Sequence, residues 1–166
     1  LVKIGGSAIT DKAKFEHLKT AQLGTTAQQL ASIRSPECKH VLVHGAGSFG
    51  HMQARTFSVK HGFYGAEKSD AGNPFGFCEV RRSVTKLNHL VIEALIQAGI
   101  AAAALPPFAS WTCANGEIQR DDSANVFSVL GRGITPVLHG DACFDDIRGC
   151  TILSGDDILF ALARAA

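Results

Sequence analysis

The sequence predicts an α/β protein, a three-layer αβα sandwich built around an open, mainly parallel sheet, and three observations predict it. Leu1-Val2-Lys3-Ile4 and Val41-Leu42-Val43 are short, largely apolar and β-branched runs, the mark of strands covered on both faces. Each run empties into glycine, the first at Gly5-Gly6 and the second at Gly45. Between them lies a segment of helical periodicity, so the chain opens as strand, helix, strand, the unit that joins parallel neighbours.

Taken in order, Leu1 to Ile4 forms the first strand and Gly5-Gly6-Ser7 its turn. Leu23, Ala27, Leu30 and Ala31 recur at helical spacing and place a helix over Leu18 to Ile33, closed by Ser35-Pro36. His40 to Val43 is the second strand. Past its glycine loop a short helix is expected over Met52 to Lys60, and Gly62 to Gly76, rich in glycine and charge, reads as a mobile loop beside the site. Asn73-Pro74 is a helix start signal. Val80, Val84, Leu87, Val91, Ala94, Leu95 and Ala98 then form one apolar face of a packed helix that Gly99 stops. Ile100 to Leu105 is a strand ending at Pro106-Pro107, and Asp121-Asp122-Ser123 caps a helix that ends near Gly131. Thr135 to Leu138 gives another buried strand. A hairpin around Asp145 to Gly149 leads through Thr151-Ile152-Leu153 to Ser154-Gly155-Asp156-Asp157, the opening of the last helix.

With 166 residues, 46% of them hydrophobic and 19% charged, the chain has the length and composition of one domain with a sizeable core, assigned to residues 1–166. Sixteen basic against fifteen acidic residues, without clustering, exclude a broad surface for nucleic acid or an anionic membrane. The five cysteines are odd in number and contain no C-x-x-C pair, which fits reduced thiols and a cytoplasmic location. No apolar run approaches the ~18 to 20 residues of a membrane span, and no charged-then-apolar leader precedes the first strand. Leu1 is not an initiator methionine, and Ile158 to Ala166 runs out in a helix-favouring segment without a cap, so the chain reads as a fragment.

Gly45, Gly47 and Gly50 satisfy the G-x-G-x-x-G pattern of dinucleotide folds, with Glu67 or Asp70 about the required ~20 residues further on. A single such fingerprint leaves the other glycine turn unexplained, bracketed as it is by Lys3 and Lys12. Two phosphate loops point instead to two phosphorylated ligands. For each candidate a plain structural reading stands beside the functional one: Lys3 snorkelling from a strand edge, Lys12 a solvated loop charge, Asp156 an N-cap. His51, at a helix start directly after the loop, is either a hydrogen-bond donor to phosphate or a capping histidine; His44 reads as structural. If the strands are parallel neighbours, Lys3, Lys12, His51 and Asp156 converge beyond their carboxyl ends. That grouping suits phosphoryl transfer, where catalysis is mostly positioning and charge neutralisation. No G-x-x-x-x-G-K-[ST] loop and no protein-kinase signature occurs, and His44, His51 and His139 lack metal-ligand spacing, so no protein-held metal is expected.

Lys3-Ile4-Gly5-Gly6-Ser7-Ala8-Ile9-Thr10-Asp11-Lys12, His44-Gly45-Ala46-Gly47-Ser48-Phe49-Gly50-His51 and Ile152-Leu153-Ser154-Gly155-Asp156-Asp157 together resemble the isopentenyl phosphate kinases of the amino acid kinase superfamily. The resemblance also takes in Gly76-Phe77 and Pro136-Val137-Leu138-His139-Gly140-Asp141, and so spans essentially the whole chain. It implies ATP-dependent phosphorylation of isopentenyl phosphate to isopentenyl diphosphate for isoprenoid synthesis through the mevalonate pathway, by direct transfer, with Mg2+ carried on ATP. By the same resemblance Lys3, Gly5, Gly6, Ser7 and Gly47 contact the ATP phosphates, and Lys12 stabilises the transferred group. Ala46, Gly47 and Gly50 belong to the acceptor loop, His51 holds the acceptor phosphate, Gly155 touches the acceptor, and Asp156 organises the lysines. An apolar tail pocket is expected near Phe75, Phe77, Val80 and Val84. Family members continue into a carboxyl-terminal portion that binds adenine and ribose, so residues 1–166 are expected to be the acceptor-binding lobe, with weak or absent ATP turnover alone. Another acceptor within the superfamily and a phosphate-binding lobe without catalysis are the alternatives; the oligomeric state is open, a homodimer included.

Overall fold

Both faces of the apolar runs are covered, which is why those runs do not alternate with polar residues. The computed structural model describes residues 1–35, 38–64 and 73–166. Strands β1 (Val2–Ile4), β2 (Leu42–His44), β3 (Ala102–Ala104) and, later in the chain, β6 (Thr135–His139) form a four-stranded sheet in the order β1-β2-β6-β3, with every pairing parallel. Helices α2 (Thr20–Ser32) and α4 (Pro74–Gln97) cover one face. There Leu23, Leu30, Leu87, Val91 and Leu95 pack with Ile4, Leu42 and Val137. Val41, Val43 and Leu138 point the other way and meet Val126 of α5 (Ser123–Gly131) with Ile158 and Leu162 of α6 (Gly155–Ala165). This is the expected αβα sandwich.

The start and stop signals of α4 act as read, whereas Asp122 precedes α5 without a side-chain cap bond. Asn73 caps α4, its Oδ1 accepting the Gly76 N–H at 2.7 Å, with Pro74 at the first helical position, and Gly99 leaves the helix at φ +84°. Several boundaries move. The second strand runs to His44 rather than Val43, because β1, β2 and β6 end level, with Ile4, His44 and His139 in register. Leu18 is outside α2 and pairs across an antiparallel bridge with Thr10. The glycine turn after β1 closes into a single helical turn, α1 (Gly6–Ile9). The helix expected over Met52 to Lys60 is α3 (His51–Thr56) followed by a 3₁₀ turn (Val59–His61), broken where Ser58 takes φ +51°. Pro36 and the central part of the Gly62 to Gly76 loop, with Glu67 and Asp70, lie outside the described residues.

A second sheet has no counterpart in the sequence reading as a whole. Strands β4 (Thr112–Ala114), β5 (Glu117–Arg120), β7 (Asp141–Asp145) and β8 (Gly149–Leu153) lie in the order β5-β4-β7-β8. Of these only the β7–β8 hairpin is expected. Asp145 ties both hairpins together, its carboxylate accepting from the N–H groups of Asn115, Gly116, Ile147 and Arg148 at 2.7 to 3.1 Å. Those bonds outweigh its partial burial and hold its carboxyl below the usual range. The run before Ser154 is therefore an antiparallel strand of this sheet, not a parallel neighbour in the first.

Candidate active site

Level strand ends set out the site. Directly after Ile4, His44 and His139 come Gly5, Gly45 and Gly140, a row of glycines across three neighbouring strands. The ladder carries on into that row, Gly45 N–H donating to Ile4 O and Gly140 N–H to His44 O, each at 3.0 Å. Open α/β sheets hold ligands at such carboxyl-terminal edges. A cavity of about 340 Å³ lies there.

The two glycine loops touch backbone to backbone. A Cβ on Gly6 would stand 2.4 Å from Gly47 N, and one on Gly45 would stand 2.9 Å from Gly6 N. Thr10, fully buried, buckles the loops: its hydroxyl donates to Gly6 O at 2.7 Å and accepts the Ser48 N–H at 3.0 Å. Gly47 adopts φ +54° inside this contact. Each loop opens a helical turn, so free N–H groups gather where an anion can be cradled.

Charged side chains converge on the same cavity. Lys3, Lys12, His51 and Asp156 all line it, together with Gly5, Gly6, Ser7, Ala46, Gly47, Gly50 and Gly155. Every candidate named from the sequence for the phosphate groups is thus brought to one place. Lys3 Nζ donates to Asp156 Oδ1 at 2.6 Å, across 153 positions of sequence. With both side chains partly exposed, such a pair stabilises the fold by only ~0 to 1 kcal/mol, so its effect is on where the ammonium stands. Asp156 is not the N-cap: Ser154 is, its Oγ accepting the Asp157 N–H at 3.1 Å and donating to Asp157 Oδ2 at 2.6 Å. Nor is His51 a cap, since Gly50 precedes α3 and His51 stands in its first turn. Burial first, and the Lys12 charge second, hold the His51 pKa below its usual value, so an anion entering the cavity would draw a proton onto the ring.

His44 has the structural role expected of it. It is fully buried, its Nδ1 donates to Gly45 O at 3.2 Å, and Nε2 lies 3.0 Å from the Asn88 side-chain amide. Burial pushes its pKa down to about 4, and the same cause takes His139 to about 4, so both rings are neutral at pH 7. Among the described residues no group of three or more metal-ligating side chains is assembled.

The cavity also has an apolar patch, where Ala54, Val80 and Ile152 of one hydrophobic cluster line it. Of the four residues expected there, only Val80 lines it. Val84 is buried behind Gly50, Phe75 is largely exposed against Phe57, and Phe77 stands one layer back, stacked on Phe144 and edge-on to Phe108. Ile152 and Ala54 went unread because their elements, of five and six residues, are too short to show an apolar period. Also unread was the pairing of Arg81 with the buried Asp141, which itself lines the cavity, the guanidinium 4.6 Å above the Phe108 ring.

A parallel sheet whose glycine loops, paired lysine and exposed histidine line one cavity is an α/β arrangement with groups suited to a phosphate. The sequence pattern of the amino acid kinase family matches residues 1–166, and the chain belongs to that family. More particularly, it is similar to the isopentenyl phosphate kinase of Arabidopsis thaliana, 36% identical over 199 residues that cover 98% of this chain and 59% of that protein. The isopentenyl phosphate kinase of Methanocaldococcus jannaschii is 32% identical over 174 residues, 99% of this chain and 64% of its own length. X-ray structures of isopentenyl phosphate kinase superpose with a TM-score of 0.87 at 30% identity, over 97% of this chain and 65% of theirs. The chain thus spans roughly three fifths of the length of the curated relatives it matches. The G-x-G-x-x-G match loses its support: Gly45 and Gly47 pack on Gly6, and the helix that follows is only six residues long.

Proposed function

We propose that residues 1–166 are the acceptor-binding lobe of an isopentenyl phosphate kinase, which transfers the terminal phosphoryl group of ATP to isopentenyl phosphate. The observation that carries this reading is the grouping of Lys3 with Asp156, Lys12 and His51 around one cavity that also takes in an apolar patch, Ala54, Val80 and Ile152. An alkyl phosphate has that same division, a charged head and a greasy tail. His51 donates to the acceptor phosphate, while the N–H groups of Ala46 and Gly47 hold its oxygens. A phosphate monoester is already ionised near neutral pH, so its oxygen attacks without a general base. Lys3, kept in place by Asp156, and Lys12 neutralise charge on the group in flight, and transfer is direct and in line.

Gly5, Gly6 and Ser7 suit the nucleotide phosphates, since a Cβ on Gly5 would meet nothing within 4 Å and the loop leaves open space there. Mg2+ supplies charge neutralisation on ATP and travels with it. We place the protein in the cytoplasm, which five free cysteines suit, and in isoprenoid synthesis through the mevalonate pathway, where phosphorylation of isopentenyl phosphate would serve.

Calorimetric titration of the chain with isopentenyl phosphate, MgATP and NADH tests this. Isopentenyl phosphate is expected to bind, MgATP weakly if at all, and turnover by these residues alone is expected to be weak or absent. NADH binding without isopentenyl phosphate binding would overturn the reading.

A further inference from the structure

Lys12 has no regular element beneath it. It rides on an excursion between Thr10 and Leu18, closed at the neck by their bridge and by Asp11 N–H donating to His17 O at 2.9 Å. Near the neck, one buried side chain ties the excursion to α4. Glu16 takes φ +46°, unusual for a residue with a Cβ, and that backbone turn sends its carboxylate away from solvent onto α4. There Oε1 accepts from Ser83 Oγ and Oε2 from Lys86 Nζ, each at 2.7 Å, with Arg82 Nη2 3.6 Å away. The Glu16 side chain is only 8% exposed. Burial pushes its carboxyl up, but the bonds from Lys86 and Ser83 outweigh that and leave it below the usual range. On the other side the loop meets the second glycine loop, Glu16 N–H donating to Ser48 O and His17 N–H to Ser48 Oγ, both at 3.2 Å.

We propose that Glu16 is a positioning residue: it clamps the Lys12 loop to α4 and to the second glycine loop, and so sets where the Lys12 charge stands beside His51. The purpose of that placement rests on the phosphoryl-transfer reading; the clamp itself does not. Lys12 is a charge felt by His51, so the histidine ring reports where the lysine is. An NMR titration of the His51 imidazole in the 166-residue chain reads it out, in Lys12→Ala, Glu16→Ala, Glu16→Gln and the Lys12→Ala/Glu16→Ala double variant.

Lys12→Ala is expected to raise the His51 pKa by removing a like charge, and Glu16→Ala to raise it in the same direction by releasing the lysine. The double variant should go no further than Lys12→Ala alone. Glu16→Gln, which keeps an acceptor for Ser83 and the packing of the side chain, should fall between wild type and Glu16→Ala, and serves if Glu16→Ala does not fold. A His51 pKa that moves in Lys12→Ala but stays at the wild-type value in both Glu16 variants would overturn the clamp. One unmoved by Lys12→Ala would overturn it too. Calorimetry on the same samples separates the two readings: wild type that fails to bind isopentenyl phosphate while Glu16→Ala still moves His51 would sink the kinase reading and support the clamp.

Discussion

The two sheets divide the work of the cavity in different currencies of structure. The parallel sheet offers backbone: three level strand ends, three glycines and two loops in direct contact, with lysine and histidine side chains added at the margin. The mixed sheet, with α4 against it, offers side chains, from Ile152 in the wall to the aromatic layer and the Arg81–Asp141 pair. Anion binding needs N–H groups at fixed points, which only main chain in a tight loop supplies in quantity; a pocket for an alkyl tail needs shape, which side chains supply. Damage to the two sheets should therefore be separable.

The largest effect is expected where α4 meets the mixed sheet. Arg81→Met strands the Asp141 carboxylate without its partner and should destabilise the fold by about 3–5 kcal/mol, read by urea unfolding at neutral pH. The pH dependence sharpens this. Burial outweighs Arg81 and raises the Asp141 pKa to about 6 from 3.8, so the native state holds that proton more tightly than the unfolded chain. The group's contribution thus favours folding at low pH and is lost as pH rises from about 4 through about 6. Arg81→Met should push the window higher, and Asp141→Asn should remove it. If Arg81→Met leaves stability unchanged, the comparison fails on this side.

Next comes the backbone side. Gly47→Ala places a Cβ 2.1 Å from Thr10 Oγ1 at φ +54°, which should cost about 1–3 kcal/mol of stability and at least about tenfold in isopentenyl phosphate affinity. Gly5→Ala is the control: its φ is −62° and its Cβ meets nothing, so it should fold as wild type, and any loss of binding must come from the ligand's approach.

His51→Ala removes one charge-assisted hydrogen bond, worth about 1.5–3 kcal/mol, and should weaken acceptor binding by roughly 10- to 100-fold without unfolding the chain. Wild-type binding should also take up a proton, because the phosphate raises a pKa that burial and Lys12 hold down. Calorimetry in two buffers of different ionisation enthalpy shows this, and an identical heat in both would count against His51 as the phosphate donor. Smallest is Val80→Ala, expected to shift preference towards longer alkyl phosphates by about tenfold or less. No shift would move the tail away from this wall.

The same division explains what could be read in advance. Parallel strands emptying into glycine are legible because burial on both faces leaves an uninterrupted apolar run and the loop leaves a gap in side chains. Lys3, Lys12, His51 and Asp156 were legible as polar residues beside those gaps. The β4–β5 hairpin was not: only Cys113 is fully buried on its strands, too few inward positions to make a period. Its signal was the Asn115-Gly116 turn, both residues at positive φ as a two-residue hairpin requires. Glu16 gave no signal at all, because its partners lie on α4, 67 and 70 positions away.

The contact between Gly6, Gly45 and Gly47 also bears on how this site can change. Where two side chains meet, a substitution in one can be answered by trimming the other. Here main chain meets main chain, and there is nothing to trim. If the proposed function holds, a protein engineer, or natural selection, seeking a new acceptor is thus left with the walls: Ala54, Val80, Ile152 and the rings behind them form the adjustable part, and the loops a fixed mould into which any new substrate would still have to fit a phosphate.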